Sequence, residues 1–267
     1  MARYSNLDKR MKNYEAVSKT KLMRRTPVVV RVDGRAFHTF TKHFKKPFDK
    51  ILMKTMQETT RYLCKNIPGC VLGYTQSDEI SLVLVDYDTL EKDAWFDYEV
   101  QKLCSIIASM TTMKFNKLFE KNVAEEYATS TFDYDEEDYL TALSKAANNG
   151  ACFDTRVYNI PKEEVANYIY WRQSDATRNS IQMVGHTYFS EKEIHGKSTR
   201  EIQDMLMDEY NVNWDNYPVP CKRGVCVVKK PVLAVPDKKV WVIDKNIPIF
   251  KGNDRDYINR EVLYTGY

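Results

Sequence analysis

Long apolar runs are missing from this sequence: no uncharged stretch of its 267 residues approaches the roughly 20 that cross a bilayer. Met1 to Asp8 is polar where a secretory leader needs an apolar block. The expectation is an intracellular, cytoplasmic chain with no membrane partner. Gly and Pro are scarce, nine of each, which excludes collagenous and low-complexity polymers. Eighteen Tyr and eleven Phe exclude wholesale disorder. The six cysteines contain no C-x-x-C pair and the four histidines no paired ligand spacing, so neither a structural zinc site nor a disulfide framework is expected.

Net charge is small, +3, but it is unevenly placed. Residues 1–50 carry fourteen Lys or Arg against four Asp or Glu, whereas residues 122–140 carry seven acids and no base. A basic front of this kind steers anionic partners. The acidic segment reads as a solvated loop.

Pro27 to Asp33 is a β-branched run closed by Asp33-Gly34, as expected of a buried strand ending at a turn. Pro47 opens a helical pattern, with Ile51, Leu52, Met56 and Leu63 on one face, that Pro68-Gly69 ends. Val71–Thr75 and Ile80–Val85 read as a hairpin with the polar tip Gln76-Ser77-Asp78-Glu79. Ala94–Glu120 has no helix breaker and predicts one long helix, and Ala151–Ile160 predicts a fourth strand. The order strand, helix, strand, strand, helix, strand predicts an α+β fold: the ferredoxin-like βαββαβ arrangement, an antiparallel sheet with helices on one face. Residues 1–160 are expected to form this unit. Residues 161–267 form a second, mostly helical part packed on it, with a helix from Pro161 past Asn179, a capping box at Ser198-x-x-Glu201, and late strands at 225–228 and 240–243.

In this topology strands one and three are neighbours, so Asp33 at the end of one meets Asp78 at the tip leading into the other. Carboxylates brought together are costly until a cation neutralises them. Mg²⁺ suits such a site, taking hard oxygen ligands, waters and phosphate. Gly34 lets backbone approach a phosphate, and Arg35, His38, Lys42, Lys45 and Lys46 supply positive charge close behind. Two carboxylates, a divalent metal and a basic flank serve in-line displacement at phosphorus. Polymerases, palm-type nucleotide cyclases and nucleotidyltransferases share these features.

The motifs Val32-Asp33-Gly34-Arg35-Ala36-Phe37-His38, Lys46-Pro47-x-Asp49, Gly73-Tyr74-x-Gln76-Ser77-Asp78-Glu79, Phe153-Asp154-x-Arg156 and Trp171-Arg172-Gln173-x-Asp175 follow one another over most of the chain. In that order they resemble the tRNA-histidine guanylyltransferase family and its relatives, the 3′-5′ polymerases. The resemblance implies a polymerase palm that adds nucleotides to the 5′ end of tRNA. It further implies that Asp33, Asp78 and the Gly34 carbonyl bind two Mg²⁺ ions. Asp33, Gly34, Arg35, Ala36, Phe37, His38, Ser77 and Asp78 would hold the nucleotide, Lys46 would contact the triphosphate with Asp49 nearby, and Glu79 would be a supporting catalytic acid. ATP adenylylates a 5′-monophosphate end in this family, and the 3′-hydroxyl of GTP then displaces AMP. Members are homotetramers.

Eukaryotic members follow the Trp-Arg-Gln segment with a His-Ile-Asn-Asn-Leu-Tyr-Asn run. Here Asp175 is followed by Ala176-Thr177-Arg178-Asn179-Ser180-Ile181-Gln182, which is similar to the bacterial branch and its template-directed repair of truncated ends. Arg172, Arg178, Asn179, Lys222 and Arg223 are the expected RNA contacts, while Trp171, at helical spacing with Val165 and Tyr168, is read as packing. A non-catalytic RNA-binding module is the competing class. The intact carboxylates and the lack of an aromatic RNA-binding run on a central strand speak against it.

Overall fold

The computed structural model describes residues 6–130, 134–232 and 235–263. In chain order the elements are α1 (Asn6–Ala16), β1 (Val28–Gly34), the short α2 (Phe37–Phe40), α3 (Lys50–Asn66), β2 (Cys70–Gln76), β3 (Glu79–Leu84), α4 (Val100–Thr129), α5 (Tyr134–Asn149) and β4 (Phe153–Asn159). They continue with α6 (Val165–Tyr188), α7 (Glu191–Ile194), α8 (Thr199–Tyr210), α9 (Val219–Arg223), β5 (Val225–Val232), β6 (Val235–Asp244) and α10 (Asp256–Val262).

The strands form one sheet in the order β4-β1-β3-β2-β5-β6, antiparallel throughout. Its first four strands have the expected ferredoxin-like order. The late strands extend that sheet beyond β2, a non-local pairing, so residues on both sides of position 160 contribute to it. Period-two alternation divides β1. Val28, Val30 and Val32 pack with Met56, Leu63, Leu103, Ile107 and Phe115 from α3 and α4, while Val29 packs on the opposite face with Tyr168 and Ile169 of α6 and Phe250 and Ile258 nearer the C-terminus. Helices therefore cover both faces. The expected single helical layer is right for α3 and α4, and α6 and α10 supply the second.

Several local features set the helices. Asp49 caps α3 by accepting the Leu52 N–H at 2.8 Å. Thr55 and Thr60 bury their hydroxyls by donating to carbonyls one turn back. Asn122 of α4 donates to Thr55 at 2.9 Å, pinning the two helices together. A 3-10 turn at Trp95–Tyr98 precedes α4, so the long helix starts later than the sequence suggested and runs to Thr129. The expected acidic loop is corrected here: its first part is the end of α4 and its last part opens α5, whose Tyr139, Leu140, Leu143 and Ala146 join the core. Among the described residues no helix is long and apolar enough to cross a membrane.

Candidate active site

Register brings the acids together. Asp33 on β1 lies directly opposite Glu79 on β3 and opposite Asp154 on β4, so the three carboxylates project from the same sheet face. Asp78 precedes Glu79 in the two-residue turn between β2 and β3. Two non-glycine residues with positive φ flank this edge, Ala36 at 55° and Ser77 at 49°. Such backbone persists where the surroundings over-determine it, and it concentrates at functional sites.

Charge compensation separates the acids. Glu79 is bridged by Arg31 from β1 and Arg172 from α6, and Arg172 also reaches Asp175 at 3.0 Å. Glu79 in turn holds Arg31 more firmly protonated, against the burial that works the other way. Asp33 has a distant cation in Arg156 at 3.9 Å, which lies nearer Asp154 at 3.4 Å, and the charge of Arg31 also favours its ionised form without cancelling the opposing effects. Burial, followed by the charge of Glu79, pushes the Asp33 carboxyl above its ordinary range. Burial also pushes Asp78 up, with Asp33 and Glu79 adding to it and a 3.0 Å hydrogen bond from the Ser77 hydroxyl opposing it.

Asp33 and Asp78 thus form an under-neutralised pair, and their hard carboxylate oxygens are of the donor type that suits Mg²⁺. Among the described residues no group of three His, Cys, Asp or Glu side chains could hold a metal.

Gly34 is required by close approach. A Cβ placed there would lie 2.2 Å from the Phe37 ring. Phe37 itself is a core residue, its ring against Phe40, Phe115 and Phe153, so its expected part in nucleotide binding is restricted to its backbone. The Arg35 N–H is taken by the Cys152 carbonyl at 2.9 Å. The N–H groups of Ala36, Phe37 and His38 have no backbone acceptor among the described residues, as at any helix start. His38 and Lys46 are exposed. Asp49 is buried, with its second oxygen accepting the Tyr139 hydroxyl at 2.7 Å. It borders a small pocket of about 70 Å³ with Ser77, Leu52, Met53, Asn179 and Pro220, apolar enough for part of a nucleobase.

The expected RNA contacts divide. Arg172 is buried between Glu79 and Asp175, and Lys222 is buried with its ammonium donating to the Asp215 carbonyl at 2.6 Å and lying over the Trp214 ring. Neither is free to meet RNA, because each satisfies a charge or carbonyl inside the fold. Arg178 and Asn179 are exposed beside Asp175, and Arg223 is half-buried. Trp171 meets the packing expectation only in part: its ring lies 6.0 Å from that of Tyr168, yet it is 54% exposed, with the Arg172 guanidinium 4.6 Å and that of Arg31 6.0 Å from it. Sequence reasoning missed Arg156 as a site residue, although it stands in the Phe153-Asp154-x-Arg156 motif; its register with Arg31 places it on the catalytic face. The two-residue alternation from Asp154 was the signal that could have found it.

The family profile described as Thg1, tRNAHis guanylyltransferase, matches residues 8–161. A Dictyostelium discoideum protein named "Probable tRNA(His) guanylyltransferase" is 30% identical over 224 residues, covering 79% of this chain and 78% of the relative. A bacterial tRNA(His) guanylyltransferase-like protein solved in complex with ATP is 39% identical, with a TM-score of 0.80 over 96% of this chain and 99% of that one. A bacterial tRNA(His) guanylyltransferase-like structure in complex with GTP is 37% identical, with a TM-score of 0.77 over 97% and 99%.

Proposed function

The chain belongs to the tRNA(His) guanylyltransferase family, and from that premise we propose that it is a nucleotidyltransferase building the 5′ end of tRNA in the 3′-5′ direction. The observation that carries this reading is the under-neutralised pair Asp33 and Asp78 beside the Gly34 turn, set against a Glu79 that two arginines already compensate. A nucleotide cyclase would need the same carboxylates and bind the same nucleotides, and what favours transfer to RNA is the family match, whose named substrate is a tRNA.

Two Mg²⁺ ions held by Asp33, Asp78 and the Gly34 carbonyl would supply Lewis-acid activation of the attacking hydroxyl and stabilisation of the leaving group. The chain's own groups do the positioning. The N–H groups at Ala36 to His38 receive phosphate oxygens, the Ser77 hydroxyl joins them by turning from Asp78, to which it donates here, and Lys46 adds charge at the triphosphate. The pocket beside Ser77 and Asn179 receives the base. Arg31 and Arg172 hold Glu79 away from the reacting phosphates, which keeps a third negative charge from opposing them. With a 5′-monophosphate end, ATP first donates AMP to that end, releasing pyrophosphate. The 3′-hydroxyl of the incoming nucleotide then forms the new phosphodiester and AMP leaves. A 5′-triphosphate end goes straight to the second displacement and releases pyrophosphate.

Residues 1–160 are read as the catalytic palm and 161–267 as the part that braces it and meets RNA. The cytoplasm is the proposed compartment, and by family resemblance the working unit is a tetramer.

The segment from Asp175 to Gln182 lacks the eukaryotic-type run, which favours template-directed repair over strict tRNA-histidine selection. Watson–Crick pairing with the opposite strand then replaces protein readout of one tRNA. The expected result is extension of 5′-truncated tRNAs of several identities with the complementary nucleotide, more efficiently than addition of G opposite A on intact tRNA-histidine. Changing the templating base and sizing the product with each labelled nucleotide tests it. Exclusive addition of G to tRNA-histidine, whatever base lies opposite, would assign specificity to protein contacts instead.

A further inference from the structure

The small pocket beside Ser77 leaves a much larger space at the same end of the sheet without a role. It is a cavity of about 600 Å³ between the turn after β1, α2 and α5, and it shares no lining residue with the small pocket. Its volume is in the range that holds nucleotide-sized ligands. Phe40, Phe44 and Ala142 give it an apolar floor, and Arg35, Lys42 and Lys145 stand around it, each from a different segment.

All three cations are exposed, and among the described residues none of them has an ion-pair partner and no acid lines the cavity. The last point is informative because α5 begins in the most acidic part of the sequence. Its last turns nevertheless offer this cavity only Lys145 and uncharged residues. The position is also defined. Arg35 immediately follows Gly34, and Cys152, whose carbonyl accepts the Arg35 N–H, leads into β4 and Asp154.

We propose that this cavity is a subsite for phosphates of the RNA substrate next to the end being extended, an assignment that rests on the 5′-end nucleotidyltransferase reading. Positive charge without compensating acid matches a phosphodiester chain. Cations spread over separate elements suit successive phosphates along a strand, and the apolar floor suits the face of an unpaired base. A free nucleoside triphosphate has the same phosphate chemistry but arrives with a metal ion. It would call for a carboxylate in the lining, and the described lining residues include none.

The test is RNA binding by the full-length protein with Lys145→Ala and the charge reversal Lys145→Glu, measured against salt concentration. Lys145 is exposed and lies outside the basic flank that follows Gly34, so the fold and the nucleotide site are retained. The Lys145→Glu variant is expected to bind 5′-truncated tRNA about tenfold more weakly, and Lys145→Ala to have a salt slope shallower by roughly 1, because one phosphate is no longer neutralised. The KM for GTP and for ATP stays at the wild-type value. As a second readout, tRNA should slow alkylation of the exposed Cys152, followed at the level of its peptide, whereas GTP should not. Unchanged RNA affinity and slope in a wild-type background that transfers nucleotides would overturn the subsite alone. A raised KM for GTP with intact RNA binding, or protection of Cys152 by GTP instead of RNA, would give the cavity to a free nucleotide and overturn the RNA assignment. A wild-type protein that transfers no nucleotide would overturn the parent reading and this one with it.

Discussion

Replacing Asp33 or Asp78 with Asn is expected to lower nucleotide transfer at least a hundredfold while the thermal midpoint holds or rises. Both effects come from the same electrostatics. Burial and neighbouring acids push each carboxyl above its ordinary range, so the charged forms oppose folding until a cation arrives. Removing one charge relieves the empty site and removes a ligand from the loaded one; loss of a single preorganised stabilising group typically costs on the order of 10²–10³ in rate. The check is single-turnover transfer at saturating Mg²⁺ beside a melting curve. Retention of more than about a tenth of wild-type turnover by both variants would remove the metal-site assignment.

Arg172→Ala is expected to act in the opposite way, on stability first. Arg172 is buried and bridges Glu79 and Asp175, so truncation leaves charge inside the fold that Arg31 and Arg178 only partly offset. Breaking a buried pair of this kind costs about 3 kcal/mol. For a chain of this size that corresponds to a fall in Tm of roughly 6–12 °C. Transfer should fall as well, since Glu79 then keeps only Arg31 and its charge weighs more heavily on Asp33. Binding of tRNA by the fraction still folded should be unchanged, which separates this internal role from the RNA contact that the sequence suggested. An unchanged Tm with weakened RNA binding would restore the RNA role.

The contrast between these residues shows where a sequence is legible. The palm order could be read because β-branched runs and Pro or Gly breakers mark each of its elements locally, and Asp33 could be placed near the β2–β3 turn because the ferredoxin-like order fixes which strands are neighbours. The addition of β5 and β6 to the β2 edge could not, since pairing of Tyr74 with Cys226 is set by contacts far apart in the chain. Helix α5 was hidden by its acids, which outweighed the stripe of Tyr139, Leu140 and Leu143 that buries it. Arg172 and Lys222 look like surface cations when only their charge is known. Whether a cation faces solvent or completes an internal network depends on Glu79 and Asp215, which lie on other elements. Trp171 shows the reverse: an aromatic at helical spacing that the fold leaves exposed.

The central claim is nucleotide addition at a 5′ end, and the direct measurement is incubation of the purified protein with 5′-monophosphorylated, 5′-truncated tRNA, Mg²⁺, ATP and α-labelled GTP, followed by sizing and mapping of the labelled product. The account predicts growth at the 5′ end by one or more nucleotides, dependent on ATP for monophosphate ends and independent of it for triphosphate ends, with AMP released in the first case and pyrophosphate in the second. Label joined to the 3′ end, a cyclic nucleotide in place of a longer RNA, or no transfer to either kind of end would contradict it.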